Sequence, residues 1–346
     1  MGMPRAGFAL AAVVIAACGP KGEQDSQRPD DSSPGRDTDT APVALCPEHL
    51  PLDIGEKVEL ELIRELPWTK LTGMYALPWQ GGGWRAWVKA KNDDDDWAVI
   101  RVFDSADGLT WTPRPSCGVA YDEWVASVGT VTVLPWNQRW WMWLRADDDE
   151  VHQRVASATS DDSCTWTMNP GYFGGDEPWA DDAMMAPHVI EGPDGRMWLY
   201  YRGSPDVNQM DSAIGLATSD DGMLWTPHPE NPIFPPSEDG WDSSLVGGPH
   251  VWFQDGRWLM VYSGHDREVD PAWDSQLVGT GKRMGLAASE DAVHWTRCSP
   301  EPLFVHGTKD DNPFVLEVFG QRWLYYRTTD DEAAKGGEIW RTAWPH

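Results

Sequence analysis

Acidic residues recur at one kind of place in this chain. Asp122 and Glu123, Asp181 and Asp182, Asp242, and Asp310 and Asp311 each stand just before an apolar segment of the same pattern. Two of those segments carry a histidine at matching positions, His188 in APHV and His250 in GPHV. Carboxyl groups gathered from separate elements around one mouth can serve as an acid with a base, or an acid with a nucleophile. Cleavage of a glycosidic bond needs such a pair. On that reading Asp182 and Asp242 take the acid and base roles, Asp311 modulates them, and His188 and His250 contact the substrate. Aspartate ahead of a strand is also an ordinary turn residue, so the pattern alone does not decide.

Cations recur as well. Lys89, Arg145, Arg202 and Arg327 close four copies of a second repeated segment, and the remaining copy has Ser263 there. In a chain of formal net charge −28, this near-ring either holds an anionic ligand such as a uronate or is neutralised by neighbouring aspartates. Trp124, Trp179, Trp241 and Trp273 fall outside the repeats and are candidates to stack on a ligand, with Trp241 assigned to substrate binding. The acidic runs at 93–96 and 147–149 lack alternating ligand spacing. They read as solvated loop charge, with calcium the weaker alternative and no cofactor otherwise expected. No CxxC or Cys/His cluster points to zinc. The acidic balance argues against a nucleic-acid partner, which would need basic patches, and against direct adhesion to an anionic membrane.

These residues need elements to position them, and the sequence supplies those by repetition. SADGLTWTP, SDDSCTWTM, SDDGMLWTP and SEDAVHWTR place Trp-Thr pairs at Trp111, Trp166, Trp225 and Trp295. A second unit alternates with these, as in PHVIEGPDGRMWLYYR and PHVWFQDGRWLMVYSG. Its aligned tryptophans are Trp84, Trp140, Trp198, Trp258 and Trp323, at spacings of 56, 58, 60 and 65. Asp194–Gly195 and Asp255–Gly256 between apolar runs are hairpin turns. A third strand follows, then the S-x-D turn, then a fourth strand that begins at Trp-Thr. Four antiparallel strands repeated about every 60 residues predict an all-β, five-bladed β-propeller. The last copy ends EIWRTAWPH and lacks a fourth strand. VELELIRELPWTK, Val58 to Lys70, is expected to supply it through Trp68–Thr69 and so to close the ring. The segment from His265 to Arg283 is the longest of its kind and is expected to form a rim or lid.

The chain opens with Arg5 and an apolar run ending IAAC at Cys18. That run is too short to span a bilayer, and it resembles a bacterial lipoprotein signal. The expected organisation is a signal peptide over 1–17, a lipidated Cys18 heading a Pro-, Asp- and Ser-rich tether over 18–45, and the propeller over 46–346. The product would be an exported lipoprotein, held on the outer membrane or cell surface by its lipid anchor alone, and a monomer. Cys46, Cys117, Cys164 and Cys298 then form two disulfides in one of three connectivities, or remain unpaired thiols.

APHVIEGPDGRMWLYYRGS, WDSSLVGGPHVWFQDGRWLMVYSG and IGLATSDDGMLWTPHPENPIF resemble segments of the five-bladed glycosidases. These are the arabinanase, xylosidase and invertase type of glycoside hydrolase families 43 and 32. The resemblance runs through all five blades, from Trp68 to Trp344, and implies carbohydrate as ligand. It also implies three inner-strand acids: an Asp before the first inner-strand proline, an Asp after a WAP-type tripeptide, and a general-acid Glu two residues before a later proline. Here KLTGMYALP carries no acid, His188 follows Ala186–Pro187, and Gly247 stands where the Glu is implied. Two expectations stay open. Either the catalytic set is displaced to Asp182, Asp242 and Asp311, or the propeller binds glycan without hydrolysing it.

Overall fold

The computed structural model describes residues 45–48, 50–60, 68–79, 82–92, 98–147, 152–175, 177–205, 211–266, 281–329 and 337–345. The signal, Cys18, nearly all of the tether, the acidic runs at 93–96 and 148–149, and Trp273 with most of its rim segment lie outside the described residues.

Five successive antiparallel blades carry the fold, the second and third joined into one sheet where Gln153 pairs with Ala183. Their inner strands are Trp68–Pro78, Ser127–Trp136, Ala183–Glu191, Leu245–Gln254 and Lys309–Val318. Each inner strand pairs with a second strand: Trp84–Asn92, Arg139–Asp147, Met197–Ser204, Arg257–His265 and Gln321–Thr329. Third strands follow at Ala98–Ser105, Gln153–Ser160, Ala213–Ser219, Arg283–Ser289 and Glu338–Ala343. The second strands lie mid-blade, and Met197–Ser204 is buried at every residue because neighbouring blades cover both of its faces. That is why its sequence, MWLYYRGS, is almost continuously apolar and aromatic rather than alternating.

The fourth strands are short: Thr110–Pro113, Thr165–Met168, Thr226–Pro227 and Thr296–Arg297. In the fifth blade this place is taken by Glu56–Lys57, whose two residues pair with Arg341 and Trp340. Of the strand expected from Val58 to Lys70, Val58 alone among the described residues joins that edge, its N–H donating to Ile339 O at 2.8 Å, and Glu59–Leu60 pair with Thr110 and Trp111 of the first blade. Trp68 instead opens the inner strand of the first blade, opposite Asn92. Alternation within VELELIRELPWTK predicts extended backbone but does not say which sheet edge it meets.

The S-x-D turns are built alike. Ser219 Oγ accepts the backbone N–H groups of Asp221 and Gly222, and Asp221 Oδ1 accepts those of Met223 and Leu224 at 2.8 Å. Ser105 with Asp107, and Ser289 with Asp291, repeat the pattern. Each turn also serves as a contact for the preceding blade. Trp143 donates to Gly222 O at 2.8 Å, Tyr200 to Ala292 O at 2.8 Å, and Tyr325 of the fifth blade to Gly108 O of the first at 2.7 Å. The fourth-strand tryptophans pack against the same aromatics, Trp166 on Trp87, Trp225 on Trp143 and Trp295 on Tyr200. Large flat rings fill the wedge between twisted sheets, which accounts for most of the tryptophan content.

The four remaining cysteines form two disulfides, Cys46–Cys298 and Cys117–Cys164. The first ties the start of the propeller to the fourth blade, and the second joins the fourth strand of the second blade to Gly118–Ala120, which pairs beside it.

Candidate functional site

All five inner strands break register at one level. The irregularities lie between Leu71 and Gly73, Val128 and Val131, Met185 and His188, Gly247 and His250, and Asp311 and Phe314. At three of them a residue before proline takes a left-handed φ: Ala186 at 50°, Gly248 at 59° and Asn312 at 53°. Left-handed backbone at alanine is strained, and such strain is retained where a bulge must re-aim neighbouring side chains. Here the bulges separate two cavities along the central channel, with Thr130, Ala186, Gly248 and Asn312 lining both.

The larger cavity, about 200 Å³, is lined by six cations: Lys89, Arg145, Arg202, Lys282, Lys309 and Arg327. Asp311 is the one carboxylate among its described lining residues. Glycine makes room for the cations. A Cβ at Gly129 would fall 2.7 Å from Arg145 Nε, one at Gly337 would fall 2.7 Å from Arg327 Cγ, and one at Gly247 would run into Arg202 Cδ. Arg202 is almost wholly buried and donates to Ser212 Oγ at 2.8 Å. Burial lowers its pKa to about 10, partly offset by Asp311.

Asp311 is tied into this lining. Arg327 Nε donates to its Oδ1 at 2.8 Å and Nη2 to its Oδ2 at 2.7 Å, and Lys309 Nζ lies 3.4 Å away. Burial alone would raise the Asp311 pKa, but Arg327, Lys309 and Lys282 together outweigh it and hold the carboxyl well below the usual range. Arg145 is similarly bound to Asp147 at 2.8 Å. Lys89 and Lys282 have no carboxylate within ion-pair distance among the described residues. Burial and neighbouring cations push both ammonium groups well below the ordinary lysine value.

The smaller cavity contains the two expected histidines. His188 and His250 lie with ring centroids 4.2 Å apart, and Tyr75 packs against both. Burial lowers the His188 pKa to about 4, against the opposing effect of a hydrogen bond to Val251 O at 2.9 Å. His250 is lowered by burial and then by His188. Both rings are neutral at pH 7 and sit beside the charged lining rather than in it.

The structure therefore gathers Arg145, Arg202, Arg327 and Asp311 at one place, with Lys89 and the cleft-facing Ser263. It leaves Asp182 and Asp242 outside that lining. Asp182 contributes backbone, its carbonyl accepting from Gln153 N and Arg154 Nη1. The Asp242 carboxylate is buried in a different network, accepting from Tyr262 OH at 2.9 Å, Arg297 Nε at 2.8 Å and Ser237 Oγ. Trp241 stacks on Tyr262 and covers Gly285, just as Trp179 stacks on Tyr201 and covers Gly203 and Gly215. These tryptophans complete blade packing, and their rings are not presented to the channel. Trp124 packs on Tyr172. Among the described residues no group of three His, Cys, Asp or Glu side chains could hold a metal ion.

Sequence reasoning missed Lys282 and Lys309. Lys282 lies just before the third strand of the fourth blade, the blade whose second strand offers Ser263 instead of a cation. The gap at Ser263 was the signal available, because a compensating cation can come from an adjacent strand.

Comparison with known proteins agrees with this architecture. The family model for the glycosyl hydrolases family 32 N-terminal domain matches residues 141–276. The uncharacterized protein Rv1502 of Mycobacterium tuberculosis is 28% identical over 117 residues, a span of 34% of this chain and 37% of that relative. Among solved structures, one described as a glycoside hydrolase superposes with a TM-score of 0.67 at 15% identity, covering 86% of this chain and 93% of the other. The endo-arabinase of Bacteroides thetaiotaomicron gives 0.61 at 16% identity, over 80% and 95%. The α-L-arabinofuranosidase of Lactobacillus brevis gives 0.57 at 15% identity, over 80% and 90%. The fold is thus the five-bladed β-propeller, similar to that of these glycoside hydrolases.

Proposed function

We propose that this propeller binds a saccharide in its central cavity and does not hydrolyse it. The glycosidase-like fold supports carbohydrate binding or hydrolysis, and the lining favours binding. The observation that carries the reading is the state of Asp311. It is the one carboxylate in the described lining, and both of its oxygens are already held by Arg327. Hydrolysis needs two carboxyl groups across one substrate, one of them protonated to act as the acid. Asp311 is held ionised, and Asp182 and Asp242 offer no carboxylate to the cavity.

Charge supports the same conclusion. The transition state of glycoside cleavage is oxocarbenium-like and positive. At an effective dielectric of about 20, a unit charge about 6 Å from one cation is raised by about 3 kcal/mol. Arg145, Arg202, Lys309 and Arg327 against a single lining carboxylate therefore oppose the reaction, before Lys89 and Lys282 are counted.

The two disulfides fit an oxidising compartment. With the N-terminal apolar run ending at Cys18, they support an exported lipoprotein that presents this cavity outside the cytoplasm. Cys18→Ala should block lipid attachment; unchanged detergent partitioning of that variant would contradict the anchor.

Aryl glycosides incubated with the wild type, Asp311→Asn and Asp242→Asn test the catalytic side. No turnover above background is expected from any of the three proteins. Turnover by the wild type that either substitution abolishes would overturn the reading.

A further inference from the structure

We infer that the channel cavity selects an anionic saccharide, seating its carboxylate, sulfate or phosphate group among Lys89, Arg145, Arg202, Lys282, Lys309 and Arg327. This rests on the reading of the cavity as a saccharide site. The first ground is where the charge lies. The chain holds 27 Lys and Arg against 55 Asp and Glu, yet six cations converge on one cavity of about 200 Å³. Solvated surface charge does not converge in this way. Buried like charges repel, and a fold that keeps them together is poised to gain from a counter-charge.

The second ground is that the described carboxylates leave the cluster unbalanced. Asp311 engages Arg327 and Lys309, and Asp147 engages Arg145. No described carboxylate lies within ion-pair distance of Lys89 or Lys282, and Lys282 is buried. The third ground is the donor set. Ser263, which lines the same cavity and is buried, has a hydroxyl with no hydrogen-bond partner among the described residues, and buried Arg145 Nε also has none. Buried donors without partners are uncommon, and an acceptor-rich ligand satisfies them. The space matches as well, since about 200 Å³ accommodates one sugar ring with its anionic substituent. Gly129 and Gly247 are the positions that let guanidinium side chains reach the wall.

Titration calorimetry on the full-length chain at low ionic strength tests the inference. The probes are D-glucuronate, D-glucose 6-sulfate, D-glucose 6-phosphate, D-glucose and inorganic sulfate. At least one anionic sugar is expected to bind tenfold or more tightly than glucose, and the preferred sugar identifies the anionic group. Lys282→Met is expected to weaken that binding tenfold or more without lowering the melting temperature, because it removes a repelled charge. A residue needed only for structure would lower the melting temperature instead. If Lys282→Met does not fold, Lys89→Met is read in the same way.

Glucose binding as well as the anionic sugars would overturn the inference and leave the saccharide reading standing. Sulfate binding as tightly as every anionic sugar would support the anion site and overturn the saccharide reading. Absence of binding by all five probes would overturn both. Anionic-sugar binding that neither lysine substitution weakens would place the ligand elsewhere and overturn the assignment.

Discussion

Arg202 occupies the space that any side chain at Gly247 would need. A Cβ built on Gly247 collides with the Cδ of Arg202 and lies 2.7 Å from its Cγ. The resemblance to five-bladed glycosidases implies a general-acid glutamate at this position, and the structure fills the place with a cation from the neighbouring blade. Gly247→Ala should therefore overpack the wall and cost about 1–3 kcal/mol, read as a lower urea midpoint. An unchanged midpoint would mean that Arg202 moves away freely. Gly247→Glu should add no turnover on aryl glycosides, since the one other carboxylate of the lining, Asp311, is held by Arg327.

The Asp311–Arg327 pair should behave as a unit. Arg327→Met strands a buried carboxylate and should cost about 3–5 kcal/mol. Asp311→Leu combined with Arg327→Met should cost less than the sum of the two single changes, because the double variant leaves no orphaned charge. Additive losses in a double-mutant cycle would contradict a coupled pair.

Lys282 should make stability rise with pH on the alkaline side. Burial first, then Arg202, Lys309 and Arg327, lower its folded pKa below the ordinary 10.5, with Asp311 opposing. The unfolded chain thus binds more protons between the lowered value and 10.5, and stability increases with pH across that window. Lys282→Met should flatten this part of the profile, as measured by urea midpoints from pH 7 to 10. Parallel profiles for the two proteins would contradict the assignment.

The S-x-D turns should fail on the acid side. Backbone N–H groups of Leu224 and Met223 lower the Asp221 pKa below 3.8. Its contribution is therefore present above 3.8 and lost as pH falls through the folded value. Asp221→Ala should cost about 1 kcal/mol at pH 7, and the gap from wild type should shrink below pH 3.8. A gap that stays constant to pH 2 would show that the carboxylate is not what ties the turn.

The repeat made the blades legible, because every copy marks the same turn with Ser, Asp and Trp. It also exposed the cation positions, since Lys89, Arg145, Arg202 and Arg327 occupy one place in successive copies. What the repeat could not show is which side chains converge from unlike positions. Lys282 and Lys309 come from a pre-strand residue and an inner-strand start, and neither belongs to the aligned set. Asp242 looked like a channel acid because it precedes an inner strand, yet its partners Tyr262 and Arg297 lie 20 and 55 residues away and draw it into the blade. Trp241 looked free because it falls outside the repeats, and the glycine that receives its ring, Gly285, is visible only in the packing.

The most direct test of the whole account is whether the protein holds an anionic sugar without cutting it. A glucuronate-terminated oligosaccharide would be incubated with saturating wild-type protein, and new reducing ends counted over a day. Binding with the chain length unchanged and no new reducing ends above a protein-free control is the expected result. New reducing ends that disappear with Asp311→Asn would contradict it.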